Sequence, residues 1–281
     1  MGRDNVIVLT SPIGGIGLSI FGAMLSWELR RREKTCAMVD ADLHAGGLDV
    51  LLGIEGNEGL RFGSLDAPLG IVDGKSLDRD LPRWEDVGIL ACNPWNGNMP
   101  DWWEVQAAIC ALAEVNDVVV VDAADGAILD AVPALAQAWH VMAVELSVLG
   151  LGRAKAHMER FGMRGAADCE GAGRNDDGTS KVVHSIAGQR VVNRNTMDRK
   201  EWLSIVGMRP HGLRGAAGSL SVDEAADYLS CDVIGPVRSS RRLRRSVLEG
   251  AGIQRIGRGS AGCVRLLAGR IEALLAQGAR S

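Results

Sequence analysis

A glycine-rich turn between an apolar run and a helical pattern is the feature that most restricts how this chain can fold. The segment Ser11-Pro12-Ile13-Gly14-Gly15-Ile16-Gly17-Leu18-Ser19 follows the apolar run 6–9 and leads into apolar helical spacing from Leu18 onward. Phosphate-binding loops of the form G-x-x-x-x-G-K-[ST] occupy this position, where their backbone N–H groups surround phosphate. The turn therefore predicts a strand–loop–helix unit with an anion-binding loop.

The loop has the glycines and the hydroxyl of such a site but not its cation. The lysine position holds Leu18, and the first glycine position holds Pro12, which has no backbone N–H to donate. Ser19 supplies a hydroxyl suited to Mg²⁺. The predicted phosphate-binding residues are Gly14, Gly15, Ile16, Gly17, Leu18 and Ser19.

Apolar strand patterns alternate with helical ones along the chain. This order predicts an α/β fold with a doubly wound, mostly parallel sheet flanked by helices. We treat residues 1–281 as one domain, with a flexible insertion at 164–181 and an Arg-rich C-terminal part. The predicted strands are 5–10, 35–40, 87–92, 117–122, 140–146, 189–193 and 231–234. The predicted helices are 18–32, 101–115, 127–138, 149–163, 221–229, 239–249 and 260–277.

Polar residues follow three of the predicted strands. Asp40 and Asp42 end the second strand, Asp122 ends the run Val118-Val119-Val120-Val121, and Asn193 ends the strand 189–193. Ligands of open α/β sheets bind at the carboxyl ends of the strands. An Asp at the end of an apolar strand has the Walker B form that holds Mg²⁺, and an Asn can hydrogen-bond a base edge. Each residue alone is also consistent with an ordinary cap or turn.

Charge is divided unevenly along the chain. Residues 1–180 carry 14 basic and 27 acidic side chains, a balance of −13, whereas residues 181–281 carry 17 basic and 8 acidic ones, a balance of +9. In the basic segment 238–245, helical spacing places Arg238, Arg241, Arg242 and Arg245 on one stripe, with Arg244 apart. The stripe is either a solvated helix face or a surface for an anionic partner.

The remaining composition favours a cytoplasmic protein. Six scattered cysteines form no C-x-x-C pair, no signal peptide is evident, and no run of 18 apolar residues would span a membrane. The C-terminal helix carries an apolar stripe that could lie on a membrane surface, but we expect it to pack on the core.

Several motifs together resemble the MinD/ParA group of deviant P-loop ATPases. Within this group the chain is most similar to the CpaE/TadZ-like septum-site (Ssd-like) and pilus-localisation proteins of actinobacteria. The likeness covers nearly the whole chain outside the insertion. The segments that carry it are 39–53, Glu58-Gly59-Leu60-Arg61, Asp122-Ala123-Ala124-Asp125-Gly126, Asp232-Val233-Ile234-Gly235-Pro236-Val237 and Leu248-Glu249-Gly250-Ala251-Gly252.

The resemblance implies ATP or ADP and Mg²⁺ as cofactors, and it assigns a role to each site residue. Ser19 and Asp122 would hold Mg²⁺, and Asp42 would position the attacking water. Asp40 would belong to the same switch, and Asn193 would face the adenine. The signature lysine of the family falls at Ile13 and its P-loop lysine at Leu18, so both cation positions are apolar.

Three functions follow from this reading. The first is a positioning protein for a septum or a Tad/Flp pilus, with a degenerate ATP site and little or no ATPase activity. The second is an active ATPase with unusual cations, and the third is a ParA-like partition protein associated with nucleic acid. The resemblance implies protein partners in a polar, septal or pilus assembly, and it leaves open a homodimer and contact with the inner face of the membrane. The acidic first 180 residues argue against nucleic acid.

Overall fold

A computed structural model describes residues 5–65, 67, 70–95, 98–163, 203–211, 218–238 and 240–278. In these residues eight strands form one sheet in the order β3-β4-β2-β5-β1-β6-β7-β8. All neighbouring strands are parallel except β3 and β4. The strands are β1 (Val6–Thr10), β2 (Cys36–Asp40), β3 (Arg83–Trp84), β4 (Val87–Leu90), β5 (Val118–Asp122), β6 (Trp139–Glu145), β7 (Leu203–Met208) and β8 (Val233–Val237).

Helices cover both faces of the sheet, which confirms the predicted fold class. The central strands β1, β2 and β5 are buried along their whole length, as their uninterrupted apolar sequences require. The helices are α1 (Leu18–Arg31), α2 (Leu48–Leu52), α3 (Gly74–Asp80), α4 (Trp102–Val115), α5 (Ala127–Ala131), α6 (Val148–Arg160), α7 (Val222–Leu229), α8 (Arg241–Leu248) and α9 (Arg258–Gly278). Helices α1 and α9 contribute to the apolar core on one face of the sheet, and α4 to the core on the other.

The strand beside β6, Leu203–Met208, was not among the predicted strands. The predicted strand 189–193 and the insertion 164–181 lie outside the described residues. The place next to β6 is taken by β7, whose six residues pair in parallel with His140 to Glu145. The end of β7 therefore brings Met208 and Arg209 to the edge of the sheet where Asn193 was expected.

Two predicted helices are shorter than expected. The predicted helix 127–138 ends at Ala131, and a 3₁₀ turn starts at Pro133, because proline has no backbone N–H to continue the hydrogen bonds of the helix. Helix α8 begins at Arg241, because the Ser240 side chain caps it by accepting the N–H of Leu243. Arg238 precedes this cap and is not part of the predicted arginine stripe.

The last helix, α9, packs on the body of the protein, as the sequence predicted. Its residues Val264, Leu267 and Ile271 are buried in the same core as α1. An ion pair of 2.7 Å joins Arg32, just after α1, to Glu272 of α9. Among the described helices, none has both the length and the apolar character needed to cross a membrane.

Candidate functional site

The glycine-rich loop connects β1 to α1 at the carboxyl edge of the sheet. Gly15 and Gly17 have φ values of 74° and 96°, a left-handed conformation that strains other residues. Gly17 is the N-cap of α1, and no side chain caps the helix at this end within the described residues. The first N–H groups of α1 are therefore left for an anion, which the helix dipole also favours.

Both positions that would carry a lysine are part of the apolar core. Leu18 is 8% exposed, and Ile13 is half-buried and packs against the same cluster of core residues. The Ser11 hydroxyl holds the loop from within by accepting the N–H of Ile13 at 3.2 Å. The Ser11 N–H also donates to the Ala124 carbonyl at 2.7 Å, which joins the loop to the end of β5. The loop is therefore a defined structure that brings backbone donors but no side-chain cation.

Two carboxylates lie side by side at the ends of the central strands. Asp40 of β2 and Asp122 of β5 are in register, and each is 3% exposed. Burial raises the pKa of Asp40 to about 8, and the neighbouring Asp122 adds to this rise. Burial likewise raises the pKa of Asp122, although hydrogen bonds from the Ser19 side chain and the Ala124 N–H favour its charged form. An enclosed pair of this kind favours a bound cation.

Backbone donors hold the Asp40 side chain in place. Its Oδ2 accepts the N–H of Leu48 at 3.1 Å and that of Cys92 at 3.4 Å, while Oδ1 accepts the N–H of Asp42 at 3.3 Å. Asp42 is half-buried, and its Oδ1 accepts the N–H of Ala45 at 3.0 Å. The turn after β2 is thus organised by both carboxylates. Asn193 lies outside the described residues.

A buried ion pair holds the segment that follows the turn after β2. The Asp49 side chain in α2 is completely buried, and its Oδ2 accepts Arg61 Nε at 3.2 Å and Asn93 Nδ2 at 3.1 Å. Arg61 also donates to the carbonyls of Asn57, Gly59 and Ile54. Both partners fall in segments that carry the family resemblance, but neither was predicted as a site residue. The sequence feature that could have indicated this pair is an Asp in an apolar stretch with an Arg 12 residues later.

A cleft of about 190 Å³ opens beside the loop. It lies on the side of β6, β7 and β8, away from the strands β2 and β5 that carry the carboxylates. We call it the loop–α8 cleft. Gly15, Ile16 and Gly17 line one side, the carboxyl ends of β7 and β8 with the residues after β7 line another, and α8 lines the third. Among the described residues, its basic lining residues are Arg209, His211 and Arg244, and no Asp or Glu lines it. Arg209 and His211 were not predicted as site residues, although the apolar run before them could have indicated a strand end.

The donor set suits Mg²⁺ only together with a phosphate ligand. No group of three or more His, Cys, Asp or Glu side chains is placed to hold a metal in the part of the chain that the structure describes. Mg²⁺ is commonly held by one or two protein oxygens, with phosphate and water oxygens completing its shell. Ser19 and Asp122, already hydrogen-bonded to each other, fit that role.

Comparison with known proteins agrees with this geometry. No family model matches the chain. Septum site-determining MinD proteins of Chlorella vulgaris and Oltmannsiellopsis viridis share 35% and 34% identity with it over 94 residues. The match covers 32% of this chain and 31% and 28% of the two relatives, so it spans less than a third of their length.

Solved structures match over nearly the whole chain. A ParA family ATPase from Chlorobium tepidum TLS has a TM-score of 0.64 at 14% identity, covering 94% of this chain and 98% of that one. MinD from Pyrococcus horikoshii OT3, complexed with Mg-ADP, has a TM-score of 0.58 at 17% identity, with coverage of 95% and 94%. This chain has the fold of the MinD and ParA ATPases. A chain of the MinC:MinD cell division complex from Aquifex aeolicus is also similar, with a TM-score of 0.55 at 17% identity and coverage of 88% and 86%.

Within this MinD/ParA fold, the structure gathers most of the predicted residues at one edge of the sheet. The loop residues 14–19 follow β1, Asp122 ends β5, and Asp40 and Asp42 end or follow β2. Since β5 lies between β2 and β1, the carboxylates adjoin the loop on one side only. The arrangement offers an anion site and a cation site next to each other.

Proposed function

We propose that this chain is a MinD/ParA-type positioning protein, related to the CpaE/TadZ-like proteins of septum or Tad/Flp pilus localisation, with a degenerate ATP site. The observation that carries the proposal is the loop itself. Its conformation and its neighbouring acids suit a nucleotide, while Leu18 and Ile13 are packed in the core where two lysines would be needed. Such a site binds nucleotide more weakly and hydrolyses it poorly.

Each proposed site residue in the described part of the chain has a role that its position supports. The backbone of residues 14–19 would bind the phosphates of ATP or ADP, and Ser19 and Asp122 would hold Mg²⁺. When bound, Mg²⁺ would neutralise charge on the phosphate oxygens. Asp40 would set the position of the turn after β2, through which Asp42 would orient a water. We assign Asn193 to the adenine on the family resemblance alone.

The expected loss of catalysis is large. Phosphoryl transfer relies on positioning and on electrostatic stabilisation, and one well-placed cation is worth roughly 10³–10⁵ in rate. Two cation positions are apolar here. We therefore expect negligible turnover, and a protein that acts through its contacts with other molecules.

The proposed partners are proteins of a polar, septal or pilus assembly. The similar Aquifex aeolicus structure is of a complex between MinD and MinC, which supports a protein partner for this fold. We place the chain in the cytoplasm, held at the inner face of the membrane through such partners. Self-association would not depend on ATP, because Ile13 stands where the family has its signature lysine. In the family, that lysine makes closure of the dimer dependent on nucleotide.

ATP binding and turnover by the purified chain, with and without Mg²⁺, test this function. We expect measurable binding and no phosphate release above the buffer rate. Steady-state hydrolysis that is abolished by Asp122→Ala, and retained in the exposed-loop control Asp125→Ala, would establish the active-ATPase alternative instead. The presence of arginines in the loop–α8 cleft is the observation that favours that alternative.

A further inference from the structure

The glycine-rich loop separates two surroundings of opposite charge. On the side of β5 and β2 lie Asp40, Asp42 and Asp122. On the side of β7 and β8 lies the loop–α8 cleft, whose charged or titratable lining residues are Arg209, His211 and Arg244. An anion on the loop would be repelled from the first side and attracted from the second.

A phosphate group on this loop needs positive charge from outside it. The loop offers backbone N–H groups, but Leu18 and Ile13 turn their apolar side chains to the core. The nearby carboxylates add negative charge, which raises the demand for a cation. Guanidinium groups suit this purpose, because they donate two parallel hydrogen bonds to phosphate oxygens.

Packing of α8 places Arg244 at the wall of the loop–α8 cleft. Leu243 is 8% exposed and belongs to the core that includes α1, and Val247 packs against the same core. These two residues, together with Ile20 and Met24 of α1, line the cleft beside Arg244. The Arg244 side chain is exposed to solvent.

The neighbouring arginines of α8 are placed differently. Arg245 forms an ion pair of 2.7 Å with Glu249, and Arg242 lines a separate cavity with Arg255 and Arg258. Arg209, by contrast, reaches the loop–α8 cleft from the end of β7, and its N–H donates to the Val237 carbonyl at 2.9 Å. This bond fixes the backbone of Arg209 against β8. Arg209 and Arg244 therefore approach one cleft from two separate elements.

We propose that Arg209 and Arg244 bind the phosphate groups of a nucleoside di- or triphosphate on the loop, in place of the two absent lysines. This inference rests on the proposed function, and it names the residues that make binding effective. It concerns affinity for the phosphates and assigns these arginines no part in hydrolysis.

Isothermal titration of the full chain with Mg-ATP, and separately with inorganic tripolyphosphate, tests the proposal. Arg209→Ala and Arg244→Ala should each weaken binding of both probes by about tenfold or more. Arg245→Ala is the matched control on the same helix and should change affinity by less than about twofold. Arg244→Lys should recover part of the loss, since it restores the charge but not the bidentate contact.

The outcomes separate the two ideas. If the wild-type chain binds ATP and both alanine variants bind it equally well, the arginine inference is overturned and the nucleotide site stands. If the wild-type chain binds neither probe, the proposed nucleotide site is overturned, and the arginine inference with it. Melting temperatures of the variants within about 2 °C of the wild type would exclude a loss of folding as the cause of weaker binding.

Discussion

Asp40 and Asp122 stand directly opposite each other on the adjacent parallel strands β2 and β5, both almost completely buried. Burial and mutual repulsion raise the pKa of Asp40 to about 8, and burial raises that of Asp122. When the pKa of a group is higher in the folded state than in the unfolded state, the free energy of unfolding decreases as pH rises from the unfolded pKa to the folded one. The pair therefore destabilises the chain around neutral pH in the absence of a cation.

Asp122→Asn should stabilise the protein, because it removes one of two repelling carboxylates and retains an oxygen acceptor. We expect the melting temperature to rise more at pH 8 than at pH 5, by roughly 2–4 °C for each kcal/mol gained. Mg²⁺ should no longer strengthen ATP binding in this variant. Asp125→Asn, in the exposed part of the same turn, is the control and should leave both measurements unchanged. A lower melting temperature at pH 8 for Asp122→Asn would contradict this account.

Arg61→Ala should destabilise the fold strongly, because it leaves the fully buried Asp49 carboxylate without its ion-pair partner. Breaking one side of such a pair costs about 3–5 kcal/mol. The control is Arg79→Ala, whose pair with Asp80 is exposed to solvent and should contribute little to stability. Urea denaturation measures both, and equal losses would mean that Asp49 is not held by Arg61.

Acid should weaken the fold through His157. Burial and, less strongly, Arg160 lower the pKa of this imidazole, with Asp125 opposing them, and its Nε2 has no hydrogen-bond partner among the described residues. Below about pH 6.5 the unfolded chain therefore binds a proton that the folded chain does not, and stability falls as pH decreases.

The slope of the unfolding free energy between pH 6.5 and 5 measures this effect. His157→Gln should flatten it, whereas Phe161→Leu, which keeps the imidazole but reduces the ring packed 4.8 Å from it, should lower stability and leave a slope. An unchanged slope in His157→Gln would assign the acid sensitivity to another group.

The double substitution Ile13→Lys and Leu18→Lys should raise ATP affinity, because it restores both cations to a loop whose backbone is already formed. Without nucleotide it should cost about 2–3 kcal/mol, since Leu18 is a core residue. Titration with Mg-ATP and thermal melts without it check the two effects. No gain in affinity would indicate that Pro12 holds the loop in a shape unsuited to phosphate.

Charge reversal on the exposed face of α8 tests its role in localisation. If the predicted arginine stripe binds an anionic partner, Arg241→Glu with Arg245→Glu should delocalise the protein in cells, because the reversed charges would repel that partner. The melting temperature should change little, as both residues are exposed and the pair of Arg245 with Glu249 is a surface pair. Localisation that survives the reversal would make the face a solvated surface only.

The sequence by itself determined the fold class and the core of the site. Runs such as Val118 to Val121 are apolar without alternation. This pattern is typical of a strand that is covered on both faces of the sheet. The glycines of the loop and the Asp at the end of β5 are local features, and strands buried in a parallel sheet must end at a common edge. These signals depend on neighbours in sequence, so they could be interpreted without the structure.

Tertiary structure decided which segments and side chains meet at that edge. The strand beside β6 is Leu203–Met208. The sequence also offered the apolar run 189–193, and strand pairing depends on contacts far apart in the chain. The place of Arg244 at the loop–α8 cleft likewise depends on burial of Leu243 in the core that includes α1, and helical spacing alone does not predict that packing. The sequence therefore showed that the loop lacked its lysines, and only packing showed which arginines lie beside it.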